Sequence, residues 1–134
     1  MMELKDEYHY TRYCRPSFVD ELGVNYSAFE FKKDEEYLSI NWFEYFSDQH
    51  YKRIFTEMTA TGNKFNRKGY LLKLNVGLCR SGLKDENISS VSFRVHDETT
   101  RSYGGIHGLE DEDFDEYTRG LKKGFVEAVS LSTV

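Results

Sequence analysis

Ser90-Val91-Ser92-Phe93-Arg94-Val95-His96 and Tyr70-Leu71-Leu72-Lys73-Leu74-Asn75-Val76-Gly77-Leu78 alternate apolar and polar side chains almost without a break. A period of two is the mark of a half-buried strand, because successive side chains leave a strand on opposite faces. Val91, Phe93 and Val95 share one face of the first stretch, and Leu72, Leu74, Val76 and Leu78 one face of the second. A loop over 97–102 leads from the first stretch into a shorter strand over 103–108. Three more extended stretches precede them. They are Tyr8-His9-Tyr10-Thr11-Arg12-Tyr13, Ser27-Ala28-Phe29-Glu30-Phe31, and Tyr37-Leu38-Ser39-Ile40-Asn41, in which Leu38 and Ile40 oppose Tyr37, Ser39 and Asn41.

The period changes twice. Phe43, Phe46, His50, Ile54 and Met58 recur every three or four residues, which predicts a helix over about 42–59, broken near Ser47-Asp48 and ended by Gly62-Asn63. Phe114, Tyr117, Leu121, Phe125 and Ala128 repeat the pattern, for a second helix over about 111–130. Its acidic opening, 110–116, suits the positive end of a helix. The expected order is β-β-β-α-β-β-β-α: one α+β domain spanning 1–134, with a mainly antiparallel sheet of about five or six strands and two helices packed on one face.

Composition bounds the function. The chain has 134 residues and a formal net charge of −5, with nine basic residues in each half, so it carries no basic tail. Nucleic acid therefore ranks low among partners, since grip on a phosphate backbone comes from clustered cations. The densest basic group is Lys64, Arg67 and Lys68. Two distant cysteines, Cys14 and Cys79, lack CxxC spacing and fit reduced thiols in a cytoplasmic protein. The N-terminus has no apolar core of a signal peptide, and no run nears the ~18 apolar residues of a membrane span.

Chemistry starts with histidine, the side chain that titrates near neutral pH. His9 lies in the first strand, His50 on the apolar helix face, His96 at a strand end and His107 eleven residues later. In a simple hairpin His107 falls opposite Ser92 or Phe93, leaving His96 roughly 10–13 Å away along the strand. That is too far for one metal, so neither metal nor cofactor is expected. A second constellation gathers His9, Thr11, Arg12, Ser39, Asn41 and Trp42, with Tyr10 beside them. It suggests a polar pocket walled by aromatic rings, in which Tyr10, Asn41 and Trp42 contact a ligand and Arg12 answers a phosphate. Tyr103-Gly104-Gly105 lacks the pattern of a phosphate loop, and its glycines fit a bulge or a close strand approach. Gly120 and Gly124 mark a place where another element packs closely.

Residues 8–42, through Tyr8-His9-Tyr10-Thr11 and Tyr37-Leu38-Ser39-Ile40-Asn41-Trp42, loosely resemble the start of ADP-ribosyltransferase-like toxins. The resemblance implies that His9 or Arg12 holds a nicotinamide dinucleotide and that Ser39 supports it. For the family's catalytic glutamate it offers only Glu110, inside the acidic run. Arg12, Ser27-Ala28-Phe29, Leu38-Ser39-Ile40-Asn41-Trp42 and the late His96 and His107 also resemble small uncharacterised bacterial proteins, which implies a bacterial cytoplasmic origin and no particular chemistry.

The leading expectation is a small soluble binding or accessory module that recognises a protein partner or a small ligand through an aromatic-rich surface, since 21 of its residues are Tyr, Phe or Trp. The rival is a nucleotide-directed enzyme, either ADP-ribosyl-transferring or phosphodiester-cleaving. It uses His9 or His96 as base with Arg12 stabilising charge, and Ser39 and His107 are its further catalytic candidates. RNA binding through 64–68 comes third.

Overall fold

The computed structural model describes the backbone of residues 1–16, 19–20, 23–24, 26–29 and 35–134, and the side chains of residues 1–16, 28–29 and 35–134. Its strands are β1 (Met2–Glu3), β2 (His9–Cys14), β3 (Val19–Asp20), β4 (Gly23–Val24), β5 (Leu38–Trp42), β6 (Tyr70–Asn75), β7 (Ser92–Val95), β8 (Tyr103–His107) and β9 (Phe125–Ser130). The helices are α1 (His50–Ala60), α2 (Val76–Asp85) and α3 (Phe114–Lys122). Seven strands form one sheet in the order β1-β7-β8-β5-β2-β6-β9, every neighbouring pair antiparallel, while β3 and β4 pair separately. The α+β architecture expected from the sequence is present, with one more strand in the sheet and one more helix than expected.

Side-chain alternation divides the sheet into two unequal faces. Tyr10, Leu38, Ile40, Leu72, Leu74, Phe93, Val95 and Ile106 look into the main core, which α2 closes with Val76, Cys79 and Leu83 and α3 with Tyr117 and Leu121. Each fully buried Leu, Ile or Phe contributes about 1.5–3 kcal/mol of transfer free energy, so this face dominates the stability. The two helices meet backbone to backbone: a Cβ on Gly82 would stand 2.2 Å from the Gly120 carbonyl oxygen, and one on Gly124 2.3 Å from Cys79 Sγ. The small residues near 120 and 124 thus serve the close packing that their spacing suggested.

The opposite face carries α1. Ile54 and Phe55 pack there with Leu71 and Leu131 in a smaller core. Helices therefore cover both faces, not the single face expected, because 50–60 and 76–85 leave the sheet on opposite sides. Glu57 pins α1 down by accepting from Ser102 N–H at 2.8 Å, Ser102 Oγ at 2.8 Å and Asn41 Nδ2 at 2.9 Å.

Three expected boundaries are corrected. The strand read over 70–78 ends at Asn75, whose side chain accepts from Leu78 N–H at 2.8 Å and caps α2. The helix expected over 111–130 is a 3-10 turn at Asp111–Asp113 and then α3; after Gly124 the chain becomes β9. The helix expected over 42–59 is a 3-10 turn at Phe43–Tyr45 followed by α1, with the break near Ser47-Asp48 as read. Gly62, at φ +84°, closes α1. Tyr26–Phe29 is a 3-10 turn rather than a strand, and the rest of that stretch, 30–31, lies outside the described residues.

Candidate functional site

Beyond the edge of α1, the β5-β8-β7 half of the second face carries polar and aromatic side chains. The register sets Ser92 opposite His107, Arg94 opposite Gly105, and Gly105 opposite Ser39. His96 N–H donates to the Tyr103 carbonyl at 3.1 Å, extending the hairpin by one residue pair. Gly105 thus sits at the centre of this half-sheet, ringed by Tyr37, Ser39, Arg94, His96, Tyr103 and His107.

The missing side chain at Gly105 makes the cluster possible. Tyr37 lies across it, so closely that a Cβ there would stand 2.3 Å from Tyr37 Cδ2. Its ring stacks on His107 with centroids 4.7 Å apart and meets His96 edge-on at 4.9 Å. The Tyr37 and Tyr103 hydroxyls are 3.0 Å apart, and Ser39 Oγ is 3.2 Å from the Tyr103 hydroxyl. The two imidazoles lean over the gap until their Nε2 atoms stand 3.0 Å apart. The distance reasoned from a simple hairpin is corrected here. His107 does fall opposite Ser92, four residues along the ladder from His96, but with Gly105 lacking a side chain between them the two rings lean together.

Guanidiniums and carboxylates both act on the pair, after burial. Burial lowers the His96 pKa, and Arg101 and Arg94 lower it further. Burial also lowers that of His107, with Arg94 and His96 adding to it while Glu3 and Glu36 pull the other way. Both rings are therefore neutral at neutral pH, and one Nε2–H donates to the other ring's lone pair. Burial, then the hydrogen bond with Tyr103, pushes the Tyr37 phenol up to about 12. Arg94 donates from Nε to Ser92 Oγ at 2.7 Å, and Ser92 donates in turn to Glu3. Arg101 rides over the Tyr103 ring at 5.1 Å. Its loop is held by Asp97, which accepts from the Thr99 and Thr100 hydroxyls. Arg53, Arg80 and Arg119 pair with carboxylates; among the described residues Arg94 and Arg101 form no ion pair.

Of the residues singled out by sequence, His96, His107 and Ser39 meet in this cluster. His9 does not: its Nδ1 lies 2.7 Å from Glu44 Oε2 and its backbone N–H donates to Glu44 Oε1, which fastens the 43–45 turn to β2. Arg12 leaves β2 on the main-core side and donates to the carbonyls of Ala28 and Ser39, each at 2.8 Å. The sheet thus lies between the Arg12 guanidinium and Ser39 Oγ, and the pocket built on His9, Arg12 and Ser39 does not assemble. Tyr10 is wholly buried, its hydroxyl 3.3 Å from Cys79 Sγ. Asn41 is held beneath α1 by Glu57 and Ser102, and Trp42 packs on Tyr8 and Tyr45, its buried Nε1 without a hydrogen-bond partner among the described residues. His50 stacks on Phe43 at 4.3 Å.

Tyr37, Arg94, Arg101 and Tyr103 complete the cluster, and sequence reasoning did not assign them to a site. The signal for two of them was parity: Tyr37 shares a face with Ser39, and Arg94 with His96. Among the described residues no group of three or more His, Cys, Asp or Glu is placed to hold a metal ion, and no helix is long and apolar enough to cross a membrane. No family model, curated protein or solved structure matches this chain.

Proposed function

We propose that this protein is a small binding module whose ligand is a phosphate-bearing compound with a flat ring, a nucleoside monophosphate being the simplest example, held on the half-sheet around Gly105. The observation that carries this reading is the pair of guanidiniums, Arg94 and Arg101, without a carboxylate partner among the described residues on a protein of net charge −5. Charge-assisted hydrogen bonds from arginine are the strong, geometrically selective way to hold a phosphate. The Tyr37 and Tyr103 rings and the hydroxyls of Ser39, Tyr37 and Tyr103 offer a stacking surface and polar contacts beside them.

A small ligand suits the molecule better than a protein partner. The large hydrophobic side chains that stand exposed among the described residues are Met1, Leu78, Phe125 and Val126, only one of them aromatic. A cytoplasmic setting is supported by Cys14 and Cys79, both buried free thiols.

Calorimetric titration with nucleoside monophosphates, ribose 5-phosphate and inorganic phosphate tests the reading. Arg94→Gln and Arg101→Gln are each expected to weaken binding about tenfold or more, the worth of a charge-assisted bond. Absence of binding by the native chain across that panel, or affinities untouched by both substitutions, would overturn it.

A further inference from the structure

Two imidazole nitrogens facing each other at 3.0 Å share either a proton or a metal ion. With metal–nitrogen bonds of about 2.0–2.1 Å, that separation subtends an angle of about 90–100° at the metal. Two ligands on tetrahedral zinc would stand about 3.3–3.4 Å apart. The right angle belongs instead to adjacent equatorial positions of a tetragonal ion, the geometry of copper(II) and nickel(II) with nitrogen and oxygen donors. We propose that His96 and His107 form a chelating site for a divalent transition metal of that preference, copper(II) before nickel(II).

The surroundings favour a metal over a bare histidine contact in three ways. The rings are packed together: Tyr37, lying in the room that Gly105 leaves above the sheet, stacks on one and meets the other edge-on. The Nε2 atoms already stand at the bite distance, and turning each ring by about 40° aims both at one ion instead of at each other. Each ring also has a second nitrogen, Nδ1, to carry the proton that its Nε2 gives up when a metal binds.

The same surroundings select among metals. The guanidiniums of Arg94 and Arg101 oppose an added cation, and Glu3 and Glu36 offset them only in part. Binding must then come from the strength of the metal–nitrogen bonds, which is greatest for copper(II) and negligible for the oxygen-seeking calcium and magnesium. Because no third His, Cys, Asp or Glu among the described residues joins the pair, the remaining positions face outward and are filled by water or an oxygen-donor ligand. This inference rests on the imidazole geometry and stands apart from the anion reading, which rests on the arginines.

The test is a copper(II) titration of the full chain followed by electron paramagnetic resonance and calorimetry in a weakly coordinating buffer. One equivalent is expected to bind with nitrogen coupling from two imidazoles. His96→Asn and His107→Asn are each expected to weaken it at least about tenfold, as losing one of two donors demands. His9→Asn and His50→Asn are expected to leave it unchanged, and excess magnesium or calcium not to compete. Arg94→Gln, which is expected to weaken phosphate binding, is expected to bind copper no less tightly than the native chain, so the two readings fail separately. His96→Asn or His107→Asn binding copper as tightly as the native chain would overturn the proposal. So would nuclear magnetic resonance spectra of the native chain in which added copper broadens the signals around His9 or His50 rather than those around His96 and His107, and that measurement needs no variant to fold.

Discussion

At the scale of single residues, the protein puts its titratable groups under different constraints. Glu44 fixes His9 through two contacts, whereas His96 and His107 face each other with guanidiniums nearby. Their pKa values are lowered from the ordinary imidazole value of 6.5, first by burial, then by Arg101 and Arg94 for His96 and by Arg94 and His96 for His107. The unfolded chain therefore binds more protons than the folded one as the pH falls through 6.5. Stability from the neutral pair is intact above that value and is lost below it. Urea midpoints at about pH 7.5 and 5.5 should fall for the native protein, and fall less for His96→Gln and His107→Gln. Equal losses in all three would mean that the rings are not held neutral by the fold. Parity in the sequence already put Arg94 and His96 on one face, and the hairpin reading placed His107 opposite Ser92 or Phe93, of which the structure has Ser92. The meeting of the imidazoles was not legible, because it depends on Gly105 having no side chain and on Tyr37 arriving over it from a strand more than sixty residues earlier.

At the scale of elements, the fold turns on where one period gives way to another. Alternation runs unbroken from Leu72 to Leu78, so nothing in the pattern ends the strand at Asn75. What ends it is a side chain doing three things at once: Asn75 Oδ1 accepts from Leu78 N–H, and its Nδ2 donates to the carbonyls of Asp6 and Tyr8. Val76, Cys79 and Leu83 then fall at helical spacing and are buried, while Leu78, expected inward, is exposed. Asn75→Ala should cost about 1 kcal/mol for the cap, more if the two carbonyls find no other donor. Asn75→Asp keeps the acceptor and loses the donor, so it should recover part of that loss in urea unfolding. No loss in the alanine variant would remove the cap as the cause of the switch. At the other end of the chain, Gly124 plays the complementary part. Helical spacing continues on paper through Phe125 and Ala128, but the chain crosses Cys79 too closely at Gly124 to carry a helix on, and 125–130 pairs with β6 instead. Both boundaries are tertiary decisions, invisible to a period count.

At the scale of the whole molecule, the sheet is shared by two layers of unequal depth. The main core gathers Tyr10, Phe93, Leu72, Leu74 and their neighbours under α2 and α3, whereas the α1 layer rests on Ile54, Phe55, Leu71 and Leu131. Alternation foretold a sheet with one apolar face: Leu72, Leu74, Phe93 and Val95 are fully buried on it, Val91 is only partly buried, and Val76 and Leu78 belong to α2, where Val76 is buried and Leu78 exposed. The second face looked polar because its strands contribute Thr11, Asn41, Lys73 and Ser39. It acquires a helix through Leu71, Leu131 and the side chains packed around them, with the half-buried Glu57 tied to Ser102 and Asn41. A layer with fewer fully buried side chains and one polar tie opens at lower free energy than the core beneath it. In native-state hydrogen exchange the amides of α1 should exchange through a partial opening, well before those of β2, β5 and β6. Glu57→Gln keeps the side chain's size and removes its charge, so it should lower the α1 opening energy while leaving the strand amides and global unfolding less affected. Should α1 exchange only with global unfolding in both proteins, the two layers form one cooperative unit and the polar tie adds nothing separate. The candidate site borders this layer, since Ser102 adjoins both Arg101 and Tyr103. Opening of α1 would then loosen the loop that carries Arg101, and ligand that engages Arg101 should slow α1 exchange by the same coupling.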